Sequence, residues 1–240
     1  CYWLHNFFTK DILNMKIVHL NNVVVVNEKK QLLAFTIFCY AMLIARMIYT
    51  GSFEYRFMGF NLFLAWIPYL LVVRIIKLNE RKQQFQIGFL LLLWLAFFPN
   101  APYMLTDIYH LNEYPSVPKW YDLIMLLSFA WTGMMLAFFS FRKLHRKFLS
   151  NRKMLVNLGI VFSTFFICGT GVYLGRYERW NSWEILTQPA TLINEFLALI
   201  GNQYALVQML ALSFVFGVFF TMIYTFIYSN HFRFQISDKA

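Results

Sequence analysis

Residues 85–103 read FQIGFLLLLWLAFFPNAPY. From Leu90 to Leu95 the run does not alternate apolar with polar residues, as a lipid-facing β-strand would. It reads as helix. The 16 residues from Gln83 to Phe98 rise about 24 Å at about 1.5 Å each, short of the roughly 30 Å hydrocarbon core. Pro99 and Pro102 then remove two backbone donors, so the helix is expected to break around Asn100. Irregular backbone at that depth is tolerated where protein buries it or where it lines a wet cavity, which marks a candidate pocket.

Five further apolar stretches flank this one: 32–50, 57–73, 121–141, 154–175 and 204–228. Hydrophobic residues make up 60% of the 240, aromatics 20% and charged residues only 13%, about half the charged share of a soluble domain. The expected fold is an all-α, polytopic membrane bundle of about six transmembrane helices. Its expected division is a segment 1–30, a six-helix domain 31–230 and a short tail 231–240. Residues 1–14 are set aside from functional argument, with Met15-Lys16 an alternative beginning.

The net charge of +10 would point to nucleic acid in a soluble protein, but here its placement matters more. Arg74, Lys77, Arg81 and Lys82 fall between the second and third spans, and Arg142, Lys143, Arg146, Lys147, Arg152 and Lys153 between the fourth and fifth. Lys29 and Lys30 precede the first span; Arg233 and Lys239 follow the last. The alternate connections hold only Arg56, Lys119, Arg176 and Arg179. The rule that cytoplasmic loops carry the excess of lysine and arginine then puts both termini inside. The basic stretch 142–153 is expected to rest on anionic headgroups, so membrane lipids are expected partners and nucleic acid is not. Cys1, Cys39 and Cys168 have neither a disulfide framework nor metal-ligand spacing; no metal or cofactor is expected.

Downstream of the break, Tyr103, Asp107 and His110 recur at i, i+4 and i+7, on one face of a short helix, with Thr106 alongside. A carboxylate three residues before an imidazole can fix its tautomer for acid–base work, so Asp107 and His110 are the candidate catalytic pair. Two metal ligands, or plain interfacial polar residues facing headgroups, are the competing readings. Arg176, Trp180 and Trp183 recur at i, i+4 and i+7, with Arg179 beside them. Guanidinium forks suit phosphate and indoles suit a lipid chain or sugar face, while the alternative is a helix C-terminus with tryptophan anchors. Asn100, Tyr103, Arg176, Arg179, Trp180 and Trp183 are therefore the candidate binding residues.

Arg46 lies about a turn inside the first span, where an arginine requires a partner, Glu54 or Asp107, or must snorkel to the interface. Asp122 and Glu184 fit as acids complementing helix dipoles in first turns. Gly171 and Gly175 make a small-xxx-small pair, read as a close contact within the monomer. Between 176 and 205, Asn181 to Glu184 suits a capped helix start. Pro189 then opens a second helix with Leu192, Ile193, Phe196, Leu197 and Ile200 on its apolar side, expected to lie in the outer interface and roof the pocket.

The blocks Phe98-Pro99-Asn100-Ala101-Pro102-Tyr103, Thr106-Asp107, His110, Tyr173-Leu174-Gly175-Arg176 and Arg179-Trp180-Asn181-Ser182-Trp183 together resemble the bacterial integral membrane family catalogued as domain of unknown function 1361, over roughly residues 35–228. The resemblance implies a bacterial cell-membrane location and no established activity. Three functional readings stand: an accessory protein with a membrane protein partner, an outer-leaflet enzyme acting on a lipid-linked or phosphate-bearing substrate, and a small transporter. The transporter is the least favoured, because few polar residues fall at mid-depth in the second, third and sixth spans. Oligomeric state is open.

Overall fold

The computed structural model describes residues 28–78, 82–111, 113–114, 116–149, 152–180 and 184–228. Trp183, the Asn181 cap, Cys1, Arg81, Arg233 and Lys239 lie outside the described residues. All regular structure described is helical. The elements are α1 (Glu28–Thr50), α2 (Arg56–Ile75), α3 (Gln84–Phe97), α4 (Asn100–Tyr103), a 3-10 turn (Thr106–His110), α5 (Lys119–Phe148), α6 (Met154–Tyr177), α7 (Glu184–Thr187), α8 (Pro189–Gly201) and α9 (Gln203–Ile227). Among the described residues, six helical segments are long and apolar enough to cross a membrane, the third being the interrupted stretch Gln84–His110.

Helix α5 is the most buried of the six and packs against α1, α2 and α4, whereas α6 takes α9 as its main partner. A knot of rings joins the two groups: Phe98, Phe138, Phe141, Phe165, Phe220 and Tyr224 meet tilted or edge-on at 5.1–6.4 Å. Trp94 donates its indole N–H to Ser140 Oγ at 2.7 Å, so the buried polar end of the indole is satisfied.

The expected break in the third span is present, and its backbone is satisfied by local means. The Asn100 side-chain amide donates to the Phe97 carbonyl at 3.0 Å, and the Ala101 N–H to the Phe98 carbonyl at 3.3 Å. Two glycines seat the break between neighbouring helices. A Cβ on Gly133 of α5 would lie 2.5 Å from the Ala101 carbonyl oxygen, and one on Gly171 of α6 would lie 2.5 Å from Pro99 Cγ. A Cβ on Gly175, one turn on, would lie 3.3 Å from the Tyr103 ring. The Gly171–Gly175 pair is thus an internal seam, where α4 lies on α6.

The basic stretch is helical in its first part. Helix α5 continues to Phe148, so residues 142–148 are helix rather than loop; three of their four cations make contacts within the protein, while Arg146 is exposed. Lys143 pairs with Glu28, the Arg142 guanidinium sits 4.4 Å over the Tyr228 ring, and Lys147 donates to the Leu78 carbonyl at 3.1 Å. Long stems let these residues pack while the charge finds a partner. The bundle therefore has a basic pole, at the connections after α2 and α5, and an opposite pole built from the connections after α1, the broken span and α6.

Candidate functional site

At the pole opposite the basic one, the break and the 3-10 turn carry Tyr103, Thr106, Asp107 and His110 to the last turn of α6, where Arg176 meets them. Arg176 Nη1 donates to Tyr103 OH at 3.3 Å and to His110 Nε2 at 3.1 Å, and Nη2 donates to the Thr106 carbonyl. The guanidinium also lies 5.5 Å over the Tyr103 ring and 5.6 Å over that of Tyr109. Asp107 Oδ1 lies 3.6 Å from Nη1, an ion pair longer than a hydrogen bond; Oδ2 accepts from Asn61 Nδ2 at 3.0 Å.

The geometry reassigns the carboxylate partner of His110. A guanidinium has only donors, so Nε2 must accept and the ring proton sits on Nδ1. Nδ1 lies 2.5 Å from Glu113 Oε2. The ring-orienting carboxylate is Glu113, three residues after the histidine, and Asp107 turns inward to Asn61 instead. The segment is a 3-10 turn rather than the α-helix that the i, i+4, i+7 spacing suggested, so Asp107 and His110 stand one above the other, one turn apart. Tyr55 holds that turn in place by donating its hydroxyl to the His110 carbonyl at 2.7 Å.

The remaining candidates lie elsewhere. Asn100 Nδ2 is engaged at the chain break. Arg179 is exposed, in the left-handed region with φ 59°. Trp180 is half-buried against Phe196 of α8, ring centroids 6.4 Å apart. Glu113 and Asn61 were not singled out in the sequence, although Asn61 is a lone amide in an otherwise apolar span and Glu113 stands three residues from a candidate histidine.

An open recess of about 280 Å³ adjoins the guanidinium. Thr106, Tyr109 and Arg176 form part of its wall and Val172, Leu212 and Phe216 part of the remainder; among the described residues, Arg176 is the only charged one lining it. Asp107 and Glu113 do not line it. Helix α8 packs beside the recess rather than over it. Its Leu199 clusters with Tyr173 of α6 and Met209 of α9, and no α8 residue lines the cavity.

A second charged cluster stands at the same pole. Arg46 is fully buried, which excludes snorkelling. Its Nε and Nη2 grip Asp122 at 2.7 and 3.3 Å, Nη1 donates to Glu54 at 2.8 Å and Nη2 to the Tyr114 carbonyl at 3.0 Å. Its partners are thus Glu54 and Asp122, not Asp107, and Asp122 does more than complement a helix dipole. The guanidinium lowers the Glu54 carboxyl below its ordinary value of 4.5. A carboxyl lowered on folding contributes stability that is complete above its unfolded value and lost as pH falls through the folded one. Melting temperature is therefore expected to hold from neutral pH down to about pH 5 and to fall below that. Glu54→Gln should remove part of that fall; an unchanged acid limb in a detergent melt would show that other carboxyls set it.

No curated protein and no solved structure matches the chain. A family model described as a protein of unknown function, DUF1361, matches residues 60–224, a segment that contains Asn61, the broken span, the 3-10 turn, Glu113 and Arg176. With more than half its length inside that match, and six helices fit to cross a membrane, the chain belongs to the DUF1361 family.

Proposed function

We propose that this multi-pass membrane protein holds the anionic head group of a membrane amphiphile at Arg176. The observation that carries the reading is the recess itself: among the described residues, one guanidinium is the only charge on a wall whose remainder is largely apolar. That pairing suits a molecule with an anionic end and a hydrocarbon end. The distribution of lysine and arginine supports an orientation with this pole outside and the basic pole in the cytoplasm, and the resemblance noted above supports a bacterial cell membrane.

A second reading, an enzyme acting on that lipid-linked or phosphate-bearing substrate, is favoured by His110. An anion that draws Arg176 toward the recess would leave Nε2 bare while Glu113 keeps the ring oriented, the arrangement of a general base. The accessory reading has no comparable residue-level support. The transporter reading has less: Thr132 and Ser213 return their hydroxyls to their own helices, and Ser140 accepts from Trp94.

The test is native mass spectrometry of protein released from phosphatidylcholine nanodiscs doped with phosphatidylglycerol. A charge-assisted hydrogen bond contributes roughly 1.5–3 kcal/mol, so Arg176→Ala should cut the anionic-lipid adduct by about tenfold or more. Arg56→Ala, at an exposed cation of the same pole, should not. Equal loss in both variants would mean diffuse surface charge. No adduct, together with a co-purifying membrane protein kept by Arg176→Ala, would turn the reading to an accessory role. Glu113→Gln should keep the adduct, and would stop any change in the lipid if the protein is an enzyme.

A further inference from the structure

The recess at Arg176 has a neighbour. A second recess, of about 360 Å³, is lined by Tyr173, Tyr177, Gln208, Ala211, Leu212 and Val215. Tyr177 and Leu212 line both, so they form the ridge between them. The helical register explains the pairing. Val172 and Arg176 share one stripe of α6 and Tyr173 and Tyr177 the next, rotated by about 100° at 3.6 residues per turn. On α9, Phe216 belongs to the first recess, Ala211 and Val215 to the second. The two cavities thus flank the seam between α6 and α9, with the guanidinium beside the first.

Resting on the head-group reading above, we infer that the ligand is a two-chain anionic lipid whose chains straddle the Tyr177–Leu212 ridge. Recesses of about 280 and 360 Å³ each have room for a short hydrocarbon segment. A water-soluble anion would leave both apolar walls unused, and a single-chain phosphate would fill only one. A glycerolipid has its phosphate and two chains diverging from one short backbone, which matches one cation beside two cavities that share a ridge. Gln208, exposed and on the wall of the second recess, offers an amide donor where the second chain's ester carbonyl would lie.

The experiment compares dilauroyl phosphatidate with monolauroyl lysophosphatidate, each titrated into the protein in phosphatidylcholine nanodiscs and read as adduct fraction by native mass spectrometry. The two-chain lipid is expected to bind at least tenfold more tightly, and Arg176→Ala to weaken both. Val215→Trp, at an exposed position lining only the second recess, should bring the two-chain lipid down to the level of the single-chain one without changing the latter. Ala211→Phe, an exposed position of the same wall, repeats the test should the tryptophan variant fail to fold. Equal, Arg176-dependent binding of both lipids in the unaltered protein would overturn the two-chain inference and leave the head-group reading standing. A two-chain preference that survives both fillings would overturn it as well. Binding indifferent to Arg176 would overturn both readings.

Discussion

Arg46→Ala is expected to destabilise the protein by about 3–5 kcal/mol, the cost of leaving a buried charge without its partner. The residue has no exposed surface, and Asp122, which it grips through two nitrogens, is almost as deeply buried. Removing the guanidinium strands that carboxylate between α1 and α5 and frees the Tyr114 carbonyl as well. The double variant Arg46→Met with Asp122→Leu removes both charges and fills the space with hydrocarbon. Buried ion pairs replaced in this way often lose little, so the double variant should melt well above the single one. Thermal melts of detergent-purified protein decide it. If the double variant is no more stable than Arg46→Ala, the cluster acts through its contacts with Glu54, the Tyr114 carbonyl and the Tyr55 ring, over which the guanidinium lies at 4.6 Å, not through charge balance.

Gly171→Leu is the other substitution with a large expected effect. Even the first carbon of a side chain would meet Pro99 at 2.5 and 2.8 Å, and a proline ring has no rotamer with which to retreat. The break must move off α6 and take Tyr103 and Thr106 away from Arg176. Overpacking of this kind costs about 1–3 kcal/mol for modest insertions, and a leucine adds three more carbons, so a loss of lipid binding is expected together with a lowered melting temperature. Gly159→Leu is the control, because nothing lies within 4 Å of a Cβ there. Equal behaviour of the two variants would mean that the seam between α4 and α6 does not position the site.

The six spans were legible because length and hydropathy are local properties, and the break was legible because Pro99 and Pro102 act on their own backbone. The end of α5 was not. Hydropathy stops at the first cation, Arg142, whereas the helix runs on as Arg142, Lys143 and Lys147 find partners within the protein. The Arg46–Asp122 pair was hidden by separation, since its members stand 76 residues apart and the position of Asp122 in a first turn already offered a local explanation. His110 posed a different difficulty. It has carboxylates three residues away on either side, Asp107 and Glu113, and sequence spacing is symmetrical between them. Only Asn61, arriving from α2, decides that Asp107 turns inward and leaves the imidazole to Glu113.

The clamp on Arg46 also sets an order of events during synthesis. Asp122 is made 76 residues after Arg46, a delay of about 4–15 s at roughly 5–20 residues per second. Throughout that interval α1 carries a cation whose unpaired transfer to mid-membrane costs about 2.5–3.5 kcal/mol or more. Glu54 follows only eight residues behind, on the loop that leads into α2. Of the two carboxylates that hold Arg46, Glu54 is thus the first to become available to it and Asp122 the second.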